Sequence, residues 1–284
     1  MSDGATGAHR PAPPAFFLHA VAAGGLRGLP PPVPDDVSGP AAAAQGAALG
    51  AHLLRRQRAQ RAATLVGGGP IEQRVPQRAA ALLRLLWVDE GFRDGEQSYR
   101  WRERGARMAH DYVAHLDPAA EPRGVERSVA ARTEALAFSG RVDRLDDRDG
   151  ELVVVDYKTG RRPVTDDDAR SSPALALYAL AAGRMLRQPC RRVELHHVPS
   201  GRVAAAEHTE ASIARHVRRA ESVAADAVRA TEALRAGEDP QRAFPPSPGP
   251  LCSWCDFRSH CPEGQAAGPE RQPWDALGDE GDED

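Results

Sequence analysis

The sequence predicts an α/β fold, with helices before and after a group of strands, and three observations carry that reading. Apolar residues recur at helical spacing up to about residue 118, then give way to partial alternation from Val125 to Leu145. Leu152 to Tyr157 is a short, continuous apolar run, as expected of a strand in the middle of a sheet covered on both faces. Pro173 to Leu186 then returns to a strong helical pattern.

Residues 1–40 are rich in Pro, Gly and Ala, with Pro30-Pro-Pro-Val-Pro34 as a stiff break, and are read as an irregular segment. Residues 41–118 form a helical region. Its first helix runs from Ala41 to about Ala63, with Leu49, Leu53 and Leu54 near one face, and ends at Gly67-Gly-Gly-Pro70. Further helices are expected over 77–90 and about 96–116, the last stopped by Asp117-Pro118. Residues 119–237 form the α/β core. There, two strands occupy 125–145, a third spans 152–157, and an acidic turn after Pro163 leads to the 173–186 helix. A hairpin around Pro199-Ser-Gly201 joins strands 192–198 and 202–206, and a long alanine- and arginine-rich helix covers 210–236. Residues 238–264 form a cysteine-bearing cap, and 265–284 an acidic tail read as disordered. No internal repeat is found.

Charge and cysteine usage narrow the class. The net charge of −3 does not announce a nucleic-acid binder, although arginines cluster at Arg55-Arg56, Arg100 to Arg104, Arg191-Arg192 and Arg218-Arg219. Such clusters could track phosphates, or serve as solvated helix faces. No apolar run is long enough to span a membrane. Met1 to Pro14 lacks a basic segment leading into an apolar core, so no secretory signal is read and a cytoplasmic location is expected. Four cysteines, three of them clustered, point to a metal site in a reducing compartment rather than to a disulfide framework.

Of the 37 lysines and arginines, only Lys158 is a lysine. A GC-rich coding sequence accounts for the arginine bias but not for the place of this ammonium, two positions after Asp156 on the apolar strand. Period-two geometry points Asp156 and Lys158 to one face and Tyr157 to the other. Asp143 lies near the end of the preceding strand, thirteen residues earlier, and an antiparallel hairpin would bring it beside Asp156. Two carboxylates and an ammonium at one spot suit metal-assisted phosphodiester cleavage. Carboxylates hold hard divalent cations, and the lysine orients the attacking water or meets charge building on the phosphate. A plain salt bridge between Asp156 and Lys158 is the bland alternative.

The motifs Gly140-Arg-Val-Asp143-Arg144 and Asp156-Tyr157-Lys158-Thr159-Gly160 resemble those of the RecB-like branch of the PD-(D/E)XK nucleases, over roughly Glu126 to Cys261. The resemblance implies a restriction-endonuclease-like αβββαβ core with a mixed sheet flanked by helices. It implies a metal-dependent DNA nuclease, an exonuclease in repair, recombination or defence, acting on single strands or ends, with a helicase as a candidate partner. By resemblance, Asp143, Asp156 and the Tyr157 carbonyl hold Mg²⁺ or Mn²⁺ and Lys158 is catalytic. Glu126 matches an acidic position that often opens the first strand. On the following helix Tyr178 keeps the family's tyrosine, which contacts the DNA backbone or packs, while Ala174 replaces the family's glutamine. An upstream metal-binding histidine is matched by His52, with His110 as the competitor. The substitution at Ala174 favours an alternative, a weakly active or inactive nuclease-fold subunit that binds DNA or scaffolds a larger complex.

Cys252, Cys255 and Cys261 fall in a Cys-x2-Cys-x5-Cys-Pro pattern, compact enough to wrap one soft metal centre. It resembles the C-terminal part of the 4Fe–4S site in RecB-like nucleases such as AddB, whose fourth cysteine lies far upstream. No cysteine precedes the nuclease motifs here. Cys190 as fourth ligand, a zinc site completed by His260, and a metal-free packed loop all stay open.

Overall fold

The structure is a computed structural model and describes residues 19–22, 70–255 and 257–277. The helix expected over residues 41–63, and His52 with it, lies outside the described residues.

Three consecutive β-branched residues, Val153 to Val155, favour extended backbone, and they form the middle of β4 (Glu151–Lys158). Its neighbours are β1 (His19–Ala22), β2 (Pro122–Arg132), β3 (Leu136–Arg148), β5 (Arg192–His197) and β6 (Arg202–Glu207). The sheet runs β1-β3-β4-β5-β6, with β2 also paired to β3. Among the described residues, only β4 and β5 are parallel; every other pairing is antiparallel. This mixed sheet with helices on both faces is the α/β architecture expected from the sequence.

The helices are α1 (Pro76–Leu85), α2 (Gly95–Ala114), α3 (Asp166–Ser171), α4 (Pro173–Leu186), α5 (Glu210–Arg235) and the short α6 (Pro240–Ala243) and α7 (Pro262–Ala266). Among the described residues, no helix is long and apolar enough to cross a membrane. Polar caps start the main helices: Asp94, Ser172 and Thr209 each accept a main-chain N–H from the first turn of α2, α4 and α5.

Two apolar cores sandwich the sheet. Leu152 and Val154 of β4 join Leu136, Phe138, Val142, Leu145, Val193 and Leu195 against α4, with α5 packed outside. Val153, Val155 and Tyr157 point the other way, against Ala79 and Leu83 of α1 and Ala106, Ala109, Tyr112 and Val113 of α2. β4 reads as a solid apolar run because both of its faces are covered.

Three readings of the sequence need correction. The segment read as irregular supplies β1, which pairs with Leu136 to Ser139; a four-residue strand completed by a distant partner leaves no local periodicity. The acidic turn is α3, started by a capping box in which Thr165 and Asp168 satisfy each other's main-chain N–H. The helix expected to reach residue 90 ends at Leu85, beyond which Trp87 stacks on Phe92 (5.4 Å between centroids) and donates to Ser98 Oγ at 2.9 Å.

Candidate active site

β3 carries β2 along one edge, and on the other edge β1 at Leu136 to Ser139 and β4 at Arg144 to Arg148. Gly140 to Asp143 therefore have no strand partner on that second edge among the described residues. Where the ladder stops, a side chain replaces it: Asp143 Oδ2 accepts the main-chain N–H of Tyr157 at 2.9 Å.

Asp143 reaches this position through a break in alternation. Leu136, Phe138, Val142 and Leu145 all belong to the core under α4, so the face presented by β3 inverts between Val142 and Leu145. On β2 the same inversion separates Val125, packed against α2's core, from Val129. The register that pairs Val125 with Arg144 and Arg127 with Val142 sets Glu126 opposite Asp143. Glu126 has φ 49°, left-handed backbone that costs a residue with a Cβ about 1–3 kcal/mol. The two strands switch faces together at Glu126 and Asp143, and the switch turns Asp143 towards the α4 side.

Asp156 and Lys158 lie on that same side. Lys158 Nζ is 2.5 Å from Asp156 Oδ2, with side chains 31% and 14% exposed. The salt bridge foreseen as the bland alternative does form, but next to a second half-buried carboxylate rather than on an open surface. Burial first, then the charge of Asp156, pushes the Asp143 carboxyl up to about 7, and Glu126 adds to this; the Tyr157 N–H and Lys158 pull the other way. Glu126 itself meets Arg141 at 3.6 Å.

Tyr178 of α4 is buried against Gly140. A Cβ on Gly140 would stand 2.3 Å from the tyrosine ring, so the glycine of the first motif is a gap that admits Tyr178. Burial, with the charges of Asp156 and Asp143, pushes the Tyr178 hydroxyl up to about 12. It therefore stays an O–H donor beside the acidic pair at neutral pH. Ala174, one turn earlier on α4, is buried in the core beneath.

The loop after the lysine is clamped from β5. His197, 1% exposed, places Nε2 2.7 Å from the Gly160 carbonyl and Nδ1 2.7 Å from Ser200 Oγ, and Val198 N donates to the Lys158 carbonyl at 2.9 Å. Sequence reasoning passed over His197; its register opposite Lys158 becomes visible only once β4 and β5 pair in parallel. His110, the alternative to His52, lies exposed on α2 with Nδ1 3.0 Å from Asp111.

Asp143 and Asp156 are half-buried carboxylates in mutual repulsion, and such oxygen donors suit Mg²⁺ or Mn²⁺, whose charge would relieve that repulsion. The cysteines do not fit a four-ligand centre in this arrangement. Among the described residues, no three His, Cys, Asp or Glu side chains are grouped to hold a metal, and this is as true of Glu126, Asp143 and Asp156 as of the cysteines. Cys252 and Cys261 accept N–H bonds from Gly249 (3.3 Å) and Gly264 (3.2 Å), and Cys255 is exposed. Cys190 packs beside Gly183 near the end of α4, where burial first and Glu151 second push its thiol up to about 12.

No curated protein matches the chain. The family model of the PD-(D/E)XK nuclease superfamily matches residues 28–262, most of the sequence and every described element from α1 through α6. With that match laid over the open edge of β3, where Asp143, Asp156 and Lys158 meet, the chain belongs to the PD-(D/E)XK nuclease superfamily.

Proposed function

We propose that this protein is a RecB-like deoxyribonuclease that hydrolyses phosphodiester bonds with Mg²⁺ or Mn²⁺, acting as an exonuclease in repair, recombination or defence. The observation that carries the reading is the convergence of Asp143, Asp156 and Lys158 at the point where β3 and β4 part. Asp143, Asp156 and the Tyr157 carbonyl would hold the cation, with Glu126 opposite Asp143 as a further carboxylate. The bound cation would lower the pKa of a water and polarise the scissile phosphate. Lys158, paired with Asp156, holds an ammonium where negative charge grows on the phosphate. The Tyr178 O–H is placed to donate to a phosphate oxygen.

A second reading, a nuclease-fold subunit that binds DNA with little cleavage, draws on Ala174, which brings only a methyl group to the helix face where the resemblance expects an amide. A helicase that delivers ends would suit either reading. The test offers linear and covalently closed DNA, single- and double-stranded, with Mg²⁺ or Mn²⁺. Degradation of linear DNA alone, abolished by chelator, is the expected result. Cutting of closed circles would refute the exonuclease assignment, and metal-dependent DNA binding without cleavage would favour the subunit reading.

A further inference from the structure

Behind the acidic pair, on the face of the sheet that carries α1 and α2, lies a buried polar chain with no direct part in the chemistry above. Glu194 of β5, 2% exposed, accepts from both Arg148 nitrogens (2.9 and 3.0 Å) and from Arg192 Nε (2.7 Å). Its Oε2 also lies 3.0 Å from His196 Nε2. Burial alone would raise the Glu194 carboxyl, but the bonds from His196, Arg148 and Arg192 hold it well below the usual range. A carboxylate only accepts, so His196 Nε2 carries the hydrogen. The other ring nitrogen, Nδ1, is hydrogen-bonded to the Tyr112 hydroxyl 2.7 Å away.

Carboxylate, imidazole and hydroxyl stand here in the order of a nucleophilic triad, but Tyr112 is 4% exposed and burial drives its hydroxyl strongly upward, away from nucleophilic use. What Tyr112 meets is Tyr157. The rings of Tyr112, Tyr157 and His196 form a closed triangle, all edge-on, with centroids 5.6, 6.0 and 6.0 Å apart. Tyr157 stands between Asp156 and Lys158, and its N–H is the donor to Asp143. On a strand, holding one side chain on one face fixes where its two neighbours point on the other. The chain also ties back to β3: Arg148 Nη2 bonds Asp146 at 2.8 Å, and Asp146 accepts from Arg144 Nε at 2.6 Å, next to Asp143.

We propose that Tyr112, His196 and Glu194 are positioning residues: they set the orientation of Tyr157 and, through its main chain, the spacing of Asp143, Asp156 and Lys158. The proposal rests on reading the acidic pair as the cleavage site, and its test keeps the two apart. Full-length Tyr112→Phe, which keeps the ring contacts and removes one hydroxyl, is compared with the unmodified protein and with His196→Gln. The expected result is a fall of about tenfold in kcat on labelled DNA with KM unchanged. Hydrogen exchange at the main-chain amides of residues 155–158 should quicken about tenfold, while β6 exchanges as before. Unchanged kcat and unchanged exchange overturn the proposal. So does faster exchange spread evenly over the sheet, which marks a merely stabilising role. If the unmodified protein cuts no DNA, the cleavage reading fails and the exchange pattern alone decides the positioning role. If His196→Gln does not fold, Tyr112→Phe carries the test.

Discussion

At neutral pH Asp143 is poised between its two protonation states, because burial and the charge of Asp156 lift its carboxyl to about 7 from an ordinary 3.8. The sign of the linkage follows. Below pH 3.8 both the folded and the unfolded chain hold this proton; between there and about 7 the unfolded chain releases it while the folded chain keeps it. Stability from this group is present at low pH and lost as pH rises through that window. Thermal melts without metal should show a decline from pH 4 to 7 that is smaller in Asp143→Asn, and Mg²⁺ should restore stability above pH 7. Gly140 is the complementary case, a residue defined by what it lacks. Gly140→Ala drives a methyl into the Tyr178 ring and should cost about 1–3 kcal/mol by overpacking, read from urea denaturation. That Asp143 and Asp156 lie on neighbouring strands was legible from hairpin spacing, and that Asp156 and Lys158 share a face from period two. The tight fit of Gly140 against Tyr178 was not, since it joins a strand to a helix thirty-eight residues away.

Elements with their own periodicity were read with little error: the β2–β3 hairpin, β4, α4, the β5–β6 hairpin and α5 stand where apolar spacing and turn residues placed them. The face switch at Glu126 and Asp143 escaped that logic, because strict alternation from Leu136 would send Asp143 to the wrong side of the sheet. In α3 six residues, fewer than two helical turns, are too short for a periodic signal, though Thr165 and Asp168 at capping-box spacing were present to be read. Thr165→Ala should cost about 1 kcal/mol and loosen the segment after the lysine loop, seen as faster exchange over residues 165–171. The cap has its own organiser. Arg258 donates to the carbonyls of Gly264, Gln265 and Gly268. Arg258→Ala leaves these acceptors to water and should speed proteolysis within residues 250–268 while the β4 amides stay protected. Equal protection of the cap in both proteins would contradict this role.

Across the whole molecule, one sheet supports two different uses of its faces. The α4 side gathers carboxylates, the ammonium and the Tyr178 hydroxyl; the α2 side holds an ion-paired chain in which Arg144, Arg148 and Arg192 meet Asp146 and Glu194. The chain's net charge of −3 hides this division, and so does the linear sequence, in which Tyr112 and His196 are eighty-four residues apart. Lys158 stood out in the sequence because it is the one lysine among 37 basic residues, and the structure sets it against Asp156 at the parting of β3 and β4. The most direct measurement is cleavage of end-labelled DNA with Mg²⁺ or Mn²⁺ by the unmodified protein, Asp156→Ala and Lys158→Ala, at protein concentrations where all three bind DNA. A cleavage centre built on this pair loses at least about 10²-fold in rate with each substitution. Metal-dependent cleavage that survives both would contradict it.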